Sequence, residues 1–139
     1  EDGFSSSYCN TIPTPQGGTH EQGLRTALYK GLRAYGELVN NKRAAQVTAD
    51  DVMDGCCAML SLFIPEPQFQ SQTKDRLSNP EAARIVENAA RDHFDHFLSG
   101  RPAEANALLG WVIERAEERL KRARQLWLKL HVERLKQGI

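Results

Sequence analysis

Residues 56–64 read CCAMLSLFI, an apolar run interrupted only by Ser61 and bounded by Gly55 and Pro65. Its length and its breakers fit a strand rather than a helix. The near-continuous apolarity predicts a strand buried on both faces. That strand decides the fold class, because most of the remaining chain reads as helix. After it comes PQFQSQTKDRLSNP (67–80), a polar loop with Lys74 at its crest. Asn79 as cap, Pro80 at the first helical position and Glu81 behind it then open a helix that stops at Gly100.

Upstream, FSSSYCNTI (4–12) alternates loosely and meets the breaker PTPQGG, which predicts a strand and then a turn. Thr19 is the expected N-cap of the next segment. There Leu24, Ala27, Leu28, Leu32, Tyr35 and Leu38 recur three or four residues apart, predicting one helix that closes at Asn40-Asn41. A basic connector, KRAAQV (42–47), leads to Thr48 and Asp51, spaced for a short capped turn. The last element begins near Pro102 and meets no breaker before Gly138, with Leu109, Val112, Ala116, Leu120, Ala123, Trp127 and Leu130 along one stripe. At about 1.5 Å per residue it would extend roughly 50 Å, so its far end is expected to project from so small a body. Two convincing strands are too few for an independent sheet. With Glu1 where an initiating Met would stand, the chain reads as a piece of something larger, its N-terminal strands missing.

The 139 residues are one domain's length, enough for a modest core. Lys plus Arg and Asp plus Glu balance at 18 each, so net charge excludes no partner. The distribution is uneven. Residues 115–136 hold eight bases against three acids, a net of +5, which leaves residues 1–114 at −5. A basic helical end suits an acidic partner such as nucleic acid; a solvated face is the plainer alternative. Cys9, Cys56 and Cys57 cannot all pair, and the adjacent two sit in the apolar run as small hydrophobes. That usage points to a reduced, cytoplasmic protein. No stretch reaches the roughly 18 apolar residues of a membrane span.

Three patterns invite a chemical reading and yield to plainer ones. His93 and His96, three apart in RDHFDH, could share a helix face and a metal, but the sequence supplies no further ligands, so surface histidines are preferred. GGTHEQGLR sets two glycines before a helix N-terminus, as an anion cradle does, yet a turn explains it equally well. Nothing near Cys56 or Cys57 would lower a thiol pKa, which leaves packing as their role. The loop differs because it joins the strand to a helix, where a rigid scaffold can present side chains. One residue separates Gln72 from Lys74, so an extended backbone would point both the same way. A carboxamide and an ammonium together suit a terminal phosphate, and a solvated loop is the alternative.

IPTPQGGTH (12–20) and PQFQSQTKDRLS (67–78), in that order and set within SYCNTIPTPQGGTHEQGLRTAL and DDVMDGCCAMLSLFIPEPQFQSQTKDRLSN, resemble the transducer region of the B subunits of bacterial type IIA topoisomerases, DNA gyrase and topoisomerase IV. The resemblance covers roughly residues 7–122. It implies an α/β (α+β) fold like domain 2 of ribosomal protein S5: a mixed sheet with helices on one side, then a long projecting C-terminal helix. It also implies a partial transducer domain over 1–100 and a connector helix over 101–139. Gln72 and Lys74 would contact the γ-phosphate of ATP held by a preceding GHKL-type ATPase domain, with Lys74 as the catalytic group. The parent would be an ATP-hydrolysing DNA topoisomerase that uses ATP and Mg2+. This chain alone is expected to be inactive, to bind no nucleotide and to hold no metal.

The same resemblance implies as partners the ATPase domain and DNA-cleaving region of the same polypeptide, a topoisomerase A subunit, double-stranded DNA and a second copy of the B subunit, with no membrane. Arg115, Arg119 and Arg122 on the basic helix would face DNA. The ending ARQLWLKLHVERLKQGI (123–139) departs from the family's lysine-rich pattern, and Leu126, Trp127, Leu128 and Leu130 make it a self-association surface. The competing reading is a non-catalytic module that binds a partner helix or DNA through this long helix.

Overall fold

The computed structural model describes residues 4–54, 56–70 and 72–138. β1 (Phe4–Cys9) turns back at Asn10-Thr11 into β2 (Ile12–Pro13), with Cys9 opposite Ile12. Both turn residues take positive φ, 50° and 67°, which gives a tight hairpin whose twist matches its strands. The single strand expected over 4–12 is therefore broken. The Asn10 carboxamide holds the bend by bonding both the N–H and the carbonyl of Ile64, each at 2.8 Å.

β3 (Cys57–Leu62) lies parallel to β1, and the strand order is β2-β1-β3. The expectation that it is buried on both faces fails. Ala58, Leu60 and Leu62 are half-buried, whereas Ser61 is exposed and Met59 is 72% exposed. β3 is an edge strand with one covered face, and an apolar run does not reveal that its two faces differ. Cys56 is half-buried and the Cys57 side chain lies outside the described residues. Cys9 is fully buried, and burial pushes its thiol pKa up, as suits a packing role.

α1 (Thr19–Leu38) runs against α3 (Pro80–Gly100) at close range: a β-carbon on Gly23 would meet the Ala83 carbonyl, and one on Gly31 the Phe94 ring. Small residues at these crossings let the two backbones approach, which offsets the helix propensity they give up. The larger core joins Leu32 and Tyr35 of α1 and Leu98 of α3 to Ala105, Leu109, Val112, Ile113 and Ala116 of α4 (Pro102–Gln137). Every residue from 121 to 138 is exposed. The expected projection is present, although the first half of α4 is core. The basic connector forms a 3-10 turn (Lys42–Gln46), tied to α4 by Arg43 and Glu117 at 2.6 Å.

α2 (Ala49–Met53) carries the expected capping box: the Thr48 hydroxyl accepts from Asp51 N–H, and Asp51 Oδ2 accepts from Thr48 N–H at 2.9 Å. Asp51 is 5% exposed and also takes Arg119 Nε at 3.0 Å. Burial alone would raise its pKa, but the Arg119 bond and the Thr48 donors outweigh that and hold it below its ordinary 3.8. A depressed carboxylate contributes stability above its unfolded pKa and loses it as pH falls through the folded one. Asp51→Ala is expected to cost about 1–2 kcal/mol near neutral pH, since it removes a cap and a half-exposed ion pair. In urea unfolding, the gap to the native chain should close as the medium is acidified below the ordinary carboxylate range. A gap that persists there would mean Asp51 acts through packing alone.

Candidate functional site

The loop at 67–79 is built as a narrow ladder. Ser78 N–H donates to the Gln68 carbonyl at 2.8 Å, Gln70 N–H to the Arg76 carbonyl at 3.0 Å, and Phe69 bridges Leu77 between them. Leu77 is 1% exposed and packs with Cys9 and Ala82 in a second core that Phe69, Leu62 and Ile64 border. Burying that side chain contributes about 2 kcal/mol, and it fixes the base of the loop to the end of the sheet. Asn79 does not cap α3 with its side chain. It accepts from Gln68 N–H and donates to the Glu66 carbonyl at 3.1 Å and to Glu81 at 2.8 Å, closing the neck of the loop.

A second turn grips the ladder from the side. Gln16 N–H donates to the Asp75 carbonyl at 2.9 Å, Leu77 N–H to the Gly17 carbonyl at 3.1 Å, and Thr19 N–H to the Leu77 carbonyl at 3.1 Å. The N-cap of α1 is thus Gly18, not Thr19, because Thr19 already lies inside the helix with its N–H turned onto the loop. This also decides the role of GGTHEQGLR. The helix N-terminus is occupied by a backbone carbonyl of the chain itself, so it is a seat for the loop rather than an anion cradle.

Lys74 sits at the exposed tip, one residue from that grip. Its φ is 59°, a left-handed backbone that a side chain adopts at a cost of about 1–2 kcal/mol, the kind of strain that collects at functional sites. Its Nζ lies 5.8 Å from the Phe69 ring centroid, and among the described residues no carboxylate pairs with it. Asp75 instead accepts from Thr73 Oγ1 at 2.9 Å. Gln72 is exposed and lies in the turn with Thr73, so the tip is curled and the extended-backbone alternation expected for Gln72 and Lys74 does not apply.

The three arginines assigned to DNA lie on α4. Arg115 pairs with Asp54 and stacks over Trp111, 4.7 Å from its centroid; Arg119 holds Asp51 and the Gln46 carbonyl; Arg122 pairs with Glu118 at 3.4 Å. Two of them therefore bind α4 to α2. His93 and His96 are exposed, and the described residues hold no group of three or more His, Cys, Asp or Glu that could bind a metal ion. No described helix is long and apolar enough to cross a membrane. Sequence reasoning named both motifs but did not bring them into contact. The usable signal was Leu77, one apolar residue stranded in a polar loop.

A family model described as DNA gyrase B matches residues 1–126. The chain belongs to the DNA gyrase B family. Among its relatives in that family, the topoisomerase 4 B subunit of Bartonella bacilliformis is 64% identical over 121 residues, covering 87% of this chain and 18% of the relative. The DNA gyrase B subunit of Halalkalibacterium halodurans is 39% identical over 132 residues, covering 90% and 21%. This DNA gyrase B family chain thus spans about a fifth of the length of these relatives. Its structure is similar to the topoisomerase IV ATP binding domain of Francisella tularensis in complex with a small-molecule inhibitor, with TM-score 0.78, 34% identity, and coverage of 85% of this chain and 34% of that one. It is similar as well to the 43K ATPase domain of Thermus thermophilus gyrase B in complex with an aminocoumarin, with TM-score 0.76, 30% identity, and coverage of 89% and 34%.

Proposed function

We propose that this chain is the transducer part of the B subunit of an ATP-driven bacterial type IIA topoisomerase, with an S5-like fold, and that Lys74 and Gln72 contact the γ-phosphate of ATP bound to a preceding GHKL domain. The observation that carries this reading is the loop itself. A left-handed lysine with no carboxylate partner among the described residues stands at the tip of a ladder that two backbone grips and a buried leucine hold rigid. An ammonium so placed can neutralise a terminal phosphate and the charge that grows on it as it departs. In this reading ATP is the substrate, and Mg2+ accompanies it on the GHKL domain. The same reading gives a cytoplasmic enzyme working with an A subunit on double-stranded DNA. Residues 101–139 serve as connector, and Arg122, with Arg115 and Arg119 where they are not held by Asp54 and Asp51, supplies charge for DNA phosphates. The test is ATP hydrolysis and nucleotide binding by the full-length subunit with and without Lys74→Ala. Lost turnover with binding kept supports the reading, and unchanged turnover refutes it.

A second reading, an interaction module, is favoured by the far end of α4, where Leu126, Trp127, Leu128 and Leu130 are each more than half exposed. Its occupant is a second copy of the chain. Antiparallel pairing centred on Trp127 sets Leu126 of one copy against Leu128 of the other, within the exposed part of the helix. Light scattering behind a sizing column is expected to show a dimer at micromolar concentration that Trp127→Ala shifts to monomer. Monomer alone before the substitution would sink this reading.

A further inference from the structure

Beneath the turn that grips the loop lies a chain of buried polar side chains that the contact with phosphate does not use. His20 is fully buried; its Nε2 lies 3.1 Å from Thr14 Oγ1, and its Nδ1 is buried with no partner among the described residues. Thr14 Oγ1 lies 2.7 Å from Ser7 Oγ, and Ser7 Oγ lies 2.8 Å from Glu21 Oε2. Thr14 and Ser7 are 1% and 5% exposed. The proton directions follow from the carboxylate end. Glu21 accepts, so the Ser7 hydroxyl donates to it at 2.8 Å and shares that proton with the Thr14 carbonyl at 3.1 Å; Ser7 then accepts from Thr14, and Thr14 accepts from His20 Nε2–H. That leaves the bare lone pair of Nδ1 in the interior. Burial lowers the pKa of His20 while Glu21 opposes it, and the net shift is downward, toward the neutral ring.

The chain ends on the backbone that aims the loop. Thr14 N–H donates to the Ser7 carbonyl at 2.8 Å, and the Thr14 carbonyl accepts from Gly17 N–H at 2.8 Å. Gln16 and Gly17 are the residues that bond Asp75 and Leu77, on the C-terminal side of Lys74. A fixed Thr14 therefore fixes the turn, and the turn fixes the backbone next to Lys74. A shift of about 1 Å in a reacting group can cost on the order of 10²-fold in rate.

We infer that Ser7, Thr14, His20 and Glu21 form a buried positioning relay that sets the direction of Lys74, with His20 as its fixed end; this rests on the reading of Lys74 given above. The full-length subunit tests it with Thr14→Val, which keeps shape but removes the hydroxyl, His20→Leu, which removes both nitrogens, and His20→Gln, whose amide can still donate to Thr14. Thr14→Val and His20→Leu are expected to lower kcat for ATP hydrolysis by about 10–100-fold with KM within about threefold. His20→Gln should restore most of the rate. Amide exchange at Gln16 and Leu77 should quicken in the first two variants and stay slow in α4. Unchanged kcat in Thr14→Val or His20→Leu, beside inactive Lys74→Ala, would overturn the relay and leave the reading of Lys74 standing. A loss of rate that only follows the unfolded fraction, or that His20→Gln does not restore, would also overturn it. Turnover that survives Lys74→Ala would remove the reading of Lys74 and the relay together.

Discussion

Lys74→Ala in the full-length subunit is expected to lower kcat for ATP hydrolysis by roughly 10²–10³-fold while nucleotide affinity changes little. The size follows from what removal of one preorganised donor costs at a developing oxyanion, about 2.7–4 kcal/mol. Affinity is spared because one exposed ammonium among the many contacts of a nucleotide contributes mostly where the charge builds up. The backbone gives a sharper control than alanine does. At φ 59° a glycine relieves strain, so Lys74→Gly should be at least as stable as the native chain and yet as inactive as Lys74→Ala. If Lys74→Gly kept its turnover, the left-handed turn and not the ammonium would be the reason for this position. Lys74→Arg should recover only part of the rate, because a planar fork cannot replace a point charge on a tip whose backbone is held. Phe69 enters the same test. It lies beneath the ammonium at 5.8 Å, a contact of about 0.5 kcal/mol at such exposure, so it parks the charge without competing with phosphate for it.

Helices were the most legible part of the sequence. The stripes of α1 and α4, the start and stop of α3 and the Thr48–Asp51 box all lie where the sequence put them, because each depends on neighbours within one or two turns. Strand environment was less legible. Met59 and Phe63 are 72% and 69% exposed although they belong to a run that reads as fully buried, since period-two burial disappears when both faces carry apolar residues. Lys74 was found through its resemblance to a known motif, and its curl was not foreseen, because left-handed φ at a lysine has no compositional sign. The relay under the turn was missed for a different reason. Ser7, Thr14 and His20 are ordinary polar residues in sequence, and only a tertiary hairpin and a helix start bring them within 3.1 Å of one another. Arg115 and Arg119 show a converse limit of the sequence: a basic stripe counts charges but not the acids of α2 and its C-cap that they already hold.

Gly18→Ala is the second large effect, and it separates the seat of the loop from its tip. Gly18 has φ 141°, and a β-carbon there would stand 2.4 Å from the Leu77 carbonyl oxygen, 2.6 Å from its nitrogen and 2.9 Å from its Cα. All three are backbone atoms, so no rotamer change relieves the clash. The hydrogen bonds that flank it, from Leu77 N–H to Gly17 and from Thr19 N–H to Leu77, must open, and Leu77 must begin to leave its core. Two lost bonds with a partly exposed leucine cost about 3 kcal/mol or more, a large share of a typical domain's roughly 5–15 kcal/mol. Gly17 provides the contrast. Its φ is 74°, but a β-carbon there meets only the side chain of Glu21, its carboxylate oxygen at 2.4 Å, which can swing aside once its bond from Ser7 opens. Gly17→Ala should therefore cost about 1–2 kcal/mol, from backbone strain and the loss of that one bond. In urea unfolding of the full-length subunit the two variants should differ by about 2 kcal/mol, with exchange at Leu77 fast only in Gly18→Ala. ATP turnover should fall in Gly18→Ala as it does in Lys74→Ala, the one through a displaced loop and the other through a missing charge. Equal, small losses at both glycines would mean that Leu77 does not depend on this turn for its place, and that the tip of the loop is held by its own ladder.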